Sequence, residues 1–523
     1  MQTITERLKL EELRGPDLEA VRCDVDAICL ADTRRTLLRD IKQWVANSDG
    51  DRVLWIHGGA GTGKSTVANT IASQFHNEGR LGASFRFRHD IDASNTCLLF
   101  RNIAYQLARF DGKFKARLLE AIEECGTVAP TLRKQLQLFI VEPAKEITPE
   151  HPALIVIDAV DECRDEGVRW DIVTAVAEAS HTLPNSVKIM VTSRKELDIN
   201  AALATVALPI NINEVEKIND DILKYIDNRM GEIVTRHTYL PKGWPDVSDR
   251  EMLTTRAGGL FIWVKVASDY LESSADPWGA LRDLLAGQSG SAEEELDKLY
   301  LRILEGRKIK HCSDDEMKYV LGSILVTKVP LTKGGLDSLL GLHGNEFQDT
   351  RNVSRIRLTT CASLVDALGP ILLVSNKGTI RFLHASIADF LTNSDRCTDR
   401  FFINRSEYDH VLTIRCFETM DMLRRNICGI NDPTKLNSEI LDLDERLREH
   451  LPEHLQYACI YWSQHLGAMP VGHDDVCDCA KGFFRTHLLH WIEVMSLLDY
   501  ADHVHLALGK TKSWFQVGLV CLH

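Results

Sequence analysis

Between Val53 and Ala72 the chain reads VLWIHGGAGTGKSTVANTIA, with Gly58, Gly63, Lys64 and Ser65 at the spacing of a phosphate-binding Walker A loop. Gly58, Gly59, Gly61 and Gly63 free the backbone to turn N–H groups inward around phosphate oxygens, and Ala60, Thr62 and Thr66 complete the cradle. A helix opening after the loop adds roughly half a positive charge and free N–H donors. Lys64 is placed to reach β- and γ-phosphates, and the Ser65 hydroxyl to ligate Mg²⁺. A glycine-rich turn can match this pattern by accident. The apolar strand before it and the helix after it argue for nucleotide binding.

A second group of residues completes such a site. The run LIVIDAVDEC puts Asp158 where an apolar strand ends, the position of the Walker B carboxylate that holds Mg²⁺. Asp161 and Glu162 follow, and an acid there accepts a proton from, or orients, an attacking water. Arg194, after the apolar run Val187 to Val191, can report a γ-phosphate through charge-assisted hydrogen bonds. The bland alternatives are a strand end capped by solvated acids and a surface arginine in a loop. An upstream glycine loop at ordinary spacing favours the catalytic reading, with ATP or GTP and Mg²⁺ as ligands.

These residues need an α/β frame. Strands are predicted at Val53–His57, Gly82–Phe87, Leu154–Ile157, Val187–Val191 and Thr205–Ile210, alternating with helices and therefore forming a parallel sheet. An amphipathic helix with Leu37, Ile41, Trp44 and Val45 on one face precedes the loop. A long helical stretch carries Leu98, Ile103 and Leu107, then Phe114, Leu118 and Ile122. The chain divides into a polar segment 1–24, a nucleotide-binding domain 25–212, a helical domain 213–310, a mixed unit 311–396 and a helical end 397–523. Leu223, Ile226, Met230 and Ile233 mark the first helix after the sheet. Helices at 315–327 and 334–341, then β-like runs at Ile371–Val374 and Ile380–Leu383, follow winged-helix order. Leu455, Cys459, Trp462 and Leu466, then Leu488, Trp491, Ile492, Met495 and Leu498, mark buried faces near the end. There is no convincing internal repeat.

Composition narrows the functional classes. A chain of 523 residues exceeds one core, and a formal charge of −14 argues against a general nucleic-acid surface. No run of 18 apolar residues spans a bilayer, and MQTITERLKLEELRG lacks the apolar stretch of a secretory signal. The 14 cysteines stand mostly singly in apolar stretches, as at Cys97, Cys416 and Cys459, which fits reduced core residues in a cytoplasmic protein.

GGAGTGKST, LIVIDAVDEC with its paired acids, and VTSRKE together resemble a NACHT domain of the STAND class of P-loop NTPases. More narrowly, the chain is similar to NACHT proteins of the fungal heterokaryon-incompatibility type, with the nephrocystin-3-like N-terminal NACHT form. LADTRRTLLRDIKQW, RAGGLFIW, LDKLY, HASIADFL and LQYACIYW extend the resemblance over most of 29–500. It implies sheet order 5-1-4-3-2 followed by helical, winged-helix and helical-arm domains. It also implies a switch that is closed with diphosphate and opens to self-associate with triphosphate. Thr33 and Arg34 would lie near the base and ribose. Gly258-Gly259-Leu260-Phe261 stands where relatives carry a Gly-Leu-Pro segment against the nucleotide, with Phe261 in place of proline. His384 resembles a histidine that touches the β-phosphate in the closed form, its alternative being a core or capping histidine. Effector modules and sensor repeats, common in the family, fit neither 1–24 nor the apolar end after Trp514, as expected of a truncated product or a core that works with another chain.

Two strings imitate zinc sites. His450-Leu-Pro-Glu-His454 matches H-x-x-E-H, but Pro452 suits a helix start rather than a continuous helix. His473, Cys477, Cys479 and His487 include a Cys-x-Cys too tight for the usual knuckle, and solvent-loop thiols are the simpler reading. The expected function is a slow, Mg²⁺-dependent NTP switch in signalling, with an unidentified protein partner. The alternatives are a nucleotide-binding scaffold without turnover, and a ring-forming AAA-type motor.

Overall fold

Five apolar runs form one parallel sheet in the computed structural model: β1 (Val53–His57), β2 (Leu81–Arg86), β3 (Ala153–Asp158), β4 (Val187–Ser193) and β5 (Leu208–Asn211). Their order is β2-β3-β4-β1-β5, which is the expected 5-1-4-3-2 read from the other edge. The structure describes residues 9–14, 27–47, 49–88, 98–127, 131–147, 152–163, 165–215, 217–306, 313–342, 347–348, 355–356, 361–432 and 434–521. Of the 1–24 segment only 9–14 are described, and Cys97 also lies outside the described residues. The chain divides into two units, Met1–Leu299 and Tyr300–His523.

β1, β3 and β4 are buried along their whole length, because helices cover both faces of the sheet. Alternate strand residues point to opposite sides. Leu54, Ile56, Leu154, Val156 and Met190 pack with Leu37, Ile41, Trp44 and Val45 of the helix Arg35–Ala46, and with Val67, Ile71 and Phe75 of Lys64–Asn77. On the other face Val53, Trp55, Phe85, Ile155, Ile157 and Ile189 pack with the helices Leu99–Phe110, Gly112–Cys125 and Glu166–Ala179. The long helical stretch is thus two helices. They part at Asp111, whose side chain caps the second by accepting from Phe114 N at 2.8 Å.

β5 begins at Leu208, three residues later than predicted, because 204–207 form the turn out of the helix Leu197–Leu203. Its Pro209 is tolerated because β5 is an edge strand. The helix Ile218–Arg236 buries Ile222, Ile226, Met230 and Ile233; Ile222 replaces the expected Leu223, since it completes the same stripe one turn before Ile226. Val247–Ala257, Phe261–Glu272 and Pro277–Leu285 follow in this unit. Arg256 closes them with a buried ion pair to Glu295, Nη1 to Oε2 at 2.6 Å, and its Nη2 donates to the carbonyls of Leu285 and Gly287 at 2.8 Å each.

The second unit begins inside the helix Ala292–Gly306. Helices Asp314–Val326 and Lys333–Leu340 match expectation, and a further helix, Cys361–Ala367, precedes the antiparallel hairpin Leu372–Val374 with Ile380–Phe382. Its interior is knotted by one polar network. Asp409 accepts from Lys328 Nζ at 2.8 Å and pairs with His465 Nδ1 at 2.6 Å, while His465 Nε2 meets Tyr457 OH at 2.7 Å. Around it Trp462 packs at a tilt against Phe417 and Phe483 and edge-to-face against Trp491. In the helix Leu488–Leu497 the buried face is Trp491, Val494, Met495 and Leu497, so the expected Ile492 points outward. Pro452 caps the helix Glu453–Ala468 rather than lying within a longer one. Cys477 and Cys479 sit on the helix Asp474–Thr486, not in a loop as expected. No described helix is long and apolar enough to cross a membrane.

Candidate nucleotide-binding site

The glycine loop leaves β1 at its carboxyl end and enters the helix Lys64–Asn77, where parallel sheets place their ligands. Gly61 and Gly63 take φ of 76° and 92°, the left-handed region that glycine reaches without strain. Gly58 is required for a different reason: a Cβ there would stand 2.5 Å from Ile212 Cγ2. Thr62 Oγ1 donates to Gly59 O at 3.0 Å, and Lys64 Nζ donates to Gly58 O and Gly59 O at 2.8 and 2.7 Å, which curls the loop on itself. Ser65 and Thr66 are half-buried at the start of the helix, Gly59 is exposed and Ala60 half-buried at the loop's tip.

Asp158 ends β3 fully buried. The register of the sheet sets Arg86 directly beside it, and its Oδ2 stands 3.4 Å from Arg86 Nε. Thr192 of β4 hydrogen-bonds Asp158 Oδ1 and accepts from Ala159 N at 2.9 Å. Asp158 Oδ2 accepts no hydrogen bond, and a hard cation at that buried oxygen would share it with the Arg86 guanidinium. A carboxylate oxygen such as Asp158 Oδ2 and a hydroxyl such as that of Ser65 are the donor type that Mg²⁺ takes. Ala159 is held at φ 58°, an uncommon conformation for alanine, and the strain sits at the turn that carries Asp161 and Glu162.

Asp161 and Arg194 form a closed pair: Arg194 N donates to Oδ1 at 3.0 Å and Nε lies 3.2 Å from Oδ2. Burial raises the Asp161 carboxyl, against the pull of Lys64 and Arg194. Burial and then Asp161 push Glu162 up to about 8, with Arg86 opposing. Lys64 is lowered by burial, and the acids of the site, Asp161 foremost, hold its charge. The arrangement is a half-buried cluster of three carboxylates and three cations (Lys64, Arg86, Arg194) at the sheet edge. Such a cluster can neutralise a polyphosphate and its metal.

Arg34 occupies a place that its sequence position does not reveal. It is buried with φ 54°, and its Nη2 donates to Thr62 O at 2.7 Å and Nη1 to Ile212 O at 3.4 Å. Its backbone N–H donates to Asp221 Oδ2 at 2.9 Å, and its guanidinium lies 5.1 Å from the Phe261 ring. Burial lowers the guanidinium pKa, with Asp221 opposing. Thr33 beside it is buried and turns its hydroxyl to Leu30 O at 2.7 Å. Phe261, in place of proline, still faces the loop, because a Cβ at Gly63 would touch its ring at 3.8 Å. Ile262 N donates to Gly61 O at 3.2 Å.

His384 belongs to the second unit. There it caps the helix Ala385–Leu391, its Nδ1 accepting from Ser386 N at 3.1 Å and meeting Ser386 Oγ at 2.7 Å. Ser386 Oγ also meets Tyr300 OH at 2.7 Å. Sequence reasoning missed Arg86, Thr192 and Asp221. The first two close strands at the sheet's ligand edge, and only the register of β2, β3 and β4 brings them to Asp158.

Sheet order and loop define the class: an α/β domain of the P-loop NTPase fold. Residues 32–194 match the family model described as nephrocystin 3, N-terminal. No curated protein matches the chain. Among solved structures, a STAND protein with a tetratricopeptide repeat sensor from Pyrococcus horikoshii is 11% identical with a TM-score of 0.41 over 93% of this chain. The chain spans 63% of that protein's length. Cdc6p from Pyrobaculum aerophilum is 13% identical with a TM-score of 0.31, covering 69% of this chain and 93% of its own. ORC1 from Aeropyrum pernix, solved in complex with DNA, is 16% identical with a TM-score of 0.30, covering 69% and 92%. Likeness at these scores carries no functional argument.

Proposed function

We propose that the chain is a nucleoside-triphosphate switch of the NACHT and STAND type, which binds ATP or GTP with Mg²⁺ and changes its self-association with the state of the nucleotide. One observation carries this reading. The carbonyls of the glycine loop are held by groups outside it, Thr62 O by Arg34 and Gly61 O by Ile262 N. A loop rearranged around phosphates therefore bears directly on the helical region that begins at Asn213. Gly58 to Thr66 cradle the phosphates, Lys64 supplies charge, and Ser65 with Asp158 would hold the Mg²⁺, which supplies charge neutralisation between phosphates. Arg194, released from Asp161, senses the γ-phosphate, and Thr33 with Arg34 lie by the base and ribose. The assignment of His384, in the winged-helix domain proposed for 311–396, to the β-phosphate rests on motif resemblance alone. The division into 25–212, 213–310 and 397–523 completes the proposed plan. A role in fungal non-self recognition or cell death rests on motif resemblance alone.

A shift from 1:99 to 99:1 between two states takes about 5.5 kcal/mol of differential affinity. The test is the affinity of the full chain for ATP and ADP, with light scattering for its mass in each. Wild type is expected to gain mass with a slowly hydrolysed ATP analogue, and Arg194→Ala and His384→Ala to lose the discrimination. Unchanged preference in both variants would remove this mechanism.

A second reading, a nucleotide-binding scaffold without turnover, is favoured by one feature. At about 8 most of the Glu162 carboxyl is protonated at neutral pH, so only a minor fraction is in the form that accepts a proton from water. Single-turnover hydrolysis by wild type against Glu162→Gln separates the two, since equal rates mean that Glu162 does no chemistry.

A further inference from the structure

The strings that imitate zinc sites do not form one, yet one of their residues belongs to a different cluster. His410 is buried on the helix Arg405–Met420, His473 precedes the helix Asp474–Thr486, and Asp475 lies in the first turn of that helix. One ligand atom from each of the three lies within 4.8 Å of the others. His410 Nε2 stands 2.9 Å from Asp475 Oδ2, and the two imidazole rings are 4.5 Å apart at 37°.

We propose that His410, His473 and Asp475 bind a divalent transition cation, with Zn²⁺ the closest chemical match. Two imidazoles and one carboxylate are the donor set of three-ligand zinc sites that keep a fourth position for water. With bonds of about 2.0–2.2 Å, donor atoms of a tetrahedral site stand roughly 3.3 Å apart. The His410–Asp475 pair needs to open by only a few tenths of an ångström. His473 is half-buried and Asp475 exposed, so both can turn toward the ion, whereas His410 is packed and sets the anchor point. The helix N-terminus beside them carries about half a positive charge, which disfavours a cation. Asp474 and Asp475 in the first turn offset it. The bound ion would clamp the helix Arg405–Met420 to the start of the helix Asp474–Thr486. Cys477 and Cys479 take no part.

The test titrates Zn²⁺ alone into metal-stripped full-length chain without nucleotide, in competition with a chelating dye. One Zn²⁺ per chain is expected. His473→Ala and Asp475→Ala, both at accessible positions, should each weaken it at least tenfold with the far-UV circular dichroism unchanged, and Cys477→Ser with Cys479→Ser should not. X-ray absorption of the zinc-loaded wild type gives a readout independent of any variant and should show nitrogen and oxygen neighbours only. Absence of stoichiometric binding, wild-type affinity in the two alanine variants, or sulfur in the first shell would each overturn the site.

Discussion

The guanidinium of Arg34 donates to the carbonyl of Thr62 at 2.7 Å, tying the residue that opens the domain to the backbone of its phosphate loop. The contact is buried, and Asp221 and Phe261 close on the same residue from two later helices. Arg34 thereby joins three parts of the first unit that are distant in the chain.

Truncating Arg34 leaves two carbonyls without their donor and removes one of two cations near Asp221, Lys224 remaining at 4.0 Å. Arg34→Ala is expected to cost about 2–4 kcal/mol in denaturant titrations. Because the residue sits at φ 54°, Arg34→Gly should be about 1 kcal/mol more stable than Arg34→Ala. Arg34→Lys should recover less than half the loss, since one ammonium cannot copy the fork. Equal stability of the glycine and alanine variants would contradict the strained backbone.

Gly58→Ala drives a methyl into Ile212 Cγ2 and to within 3.0 Å of Asn213 Oδ1. A loss of about 1–3 kcal/mol is expected, together with weaker nucleotide binding, because the loop must move. Ile212→Ala removes the clashing carbon. The double variant should therefore lose at least about 1 kcal/mol less than the sum of the single losses. Strict additivity in that cycle would show that the steric contact is not what excludes alanine.

The Glu162 carboxyl rises from its ordinary 4.5 to about 8 through burial and Asp161. The folded chain holds this proton where the unfolded chain has released it. Its contribution to stability is complete below pH 4.5 and is lost as pH rises to about 8. Glu162→Gln should flatten the fall in unfolding free energy across that window, and its advantage over wild type should be largest above pH 8. If Glu162 is the base, single-turnover hydrolysis by wild type climbs through pH 8 and the glutamine variant loses that climb. Parallel stability profiles for the two proteins would place the proton elsewhere.

Arg256 and Glu295 are both buried, and three backbone carbonyls share the guanidinium. Arg256→Ala leaves the buried Glu295 carboxylate with Lys298 Nζ at 2.8 Å and Gly290 N at 2.9 Å and takes the donor from three carbonyls, and should cost about 2–4 kcal/mol. Arg256→Met with Glu295→Gln removes both charges and should cost less than Arg256→Ala alone. A double variant that is the less stable would mean that the pair contributes net stability beyond satisfying its own charges.

The strands and the phosphate loop were readable from one dimension because their signals are local. Four apolar residues in a row, Val53 to Ile56, cannot rest against water, and Lys64-Ser65 after two glycines that need positive φ can only begin a helix at a turn. Asp158 was readable for the same reason, as the acid that ends an unbroken apolar run. Faces of single helices were read nearly as well, with errors of one or two positions. Leu223 for Ile222 and Ile492 for Val494 arise because a stripe's edge is settled by what packs against it.

Contacts that join distant segments were not readable. Arg86, Asp158 and Thr192 share a site because parallel pairing fixes one register among several that their apolar patterns would allow. Arg34 reaches Thr62, and Asp221 reaches Arg34, only after the helices have docked. His410, His473 and Asp475 meet because two helices cross. Residue type and short-range spacing carry the chemistry each segment is able to offer. Which offers meet is decided by packing, where the free energy depends on all the segments at once and no local pattern records it.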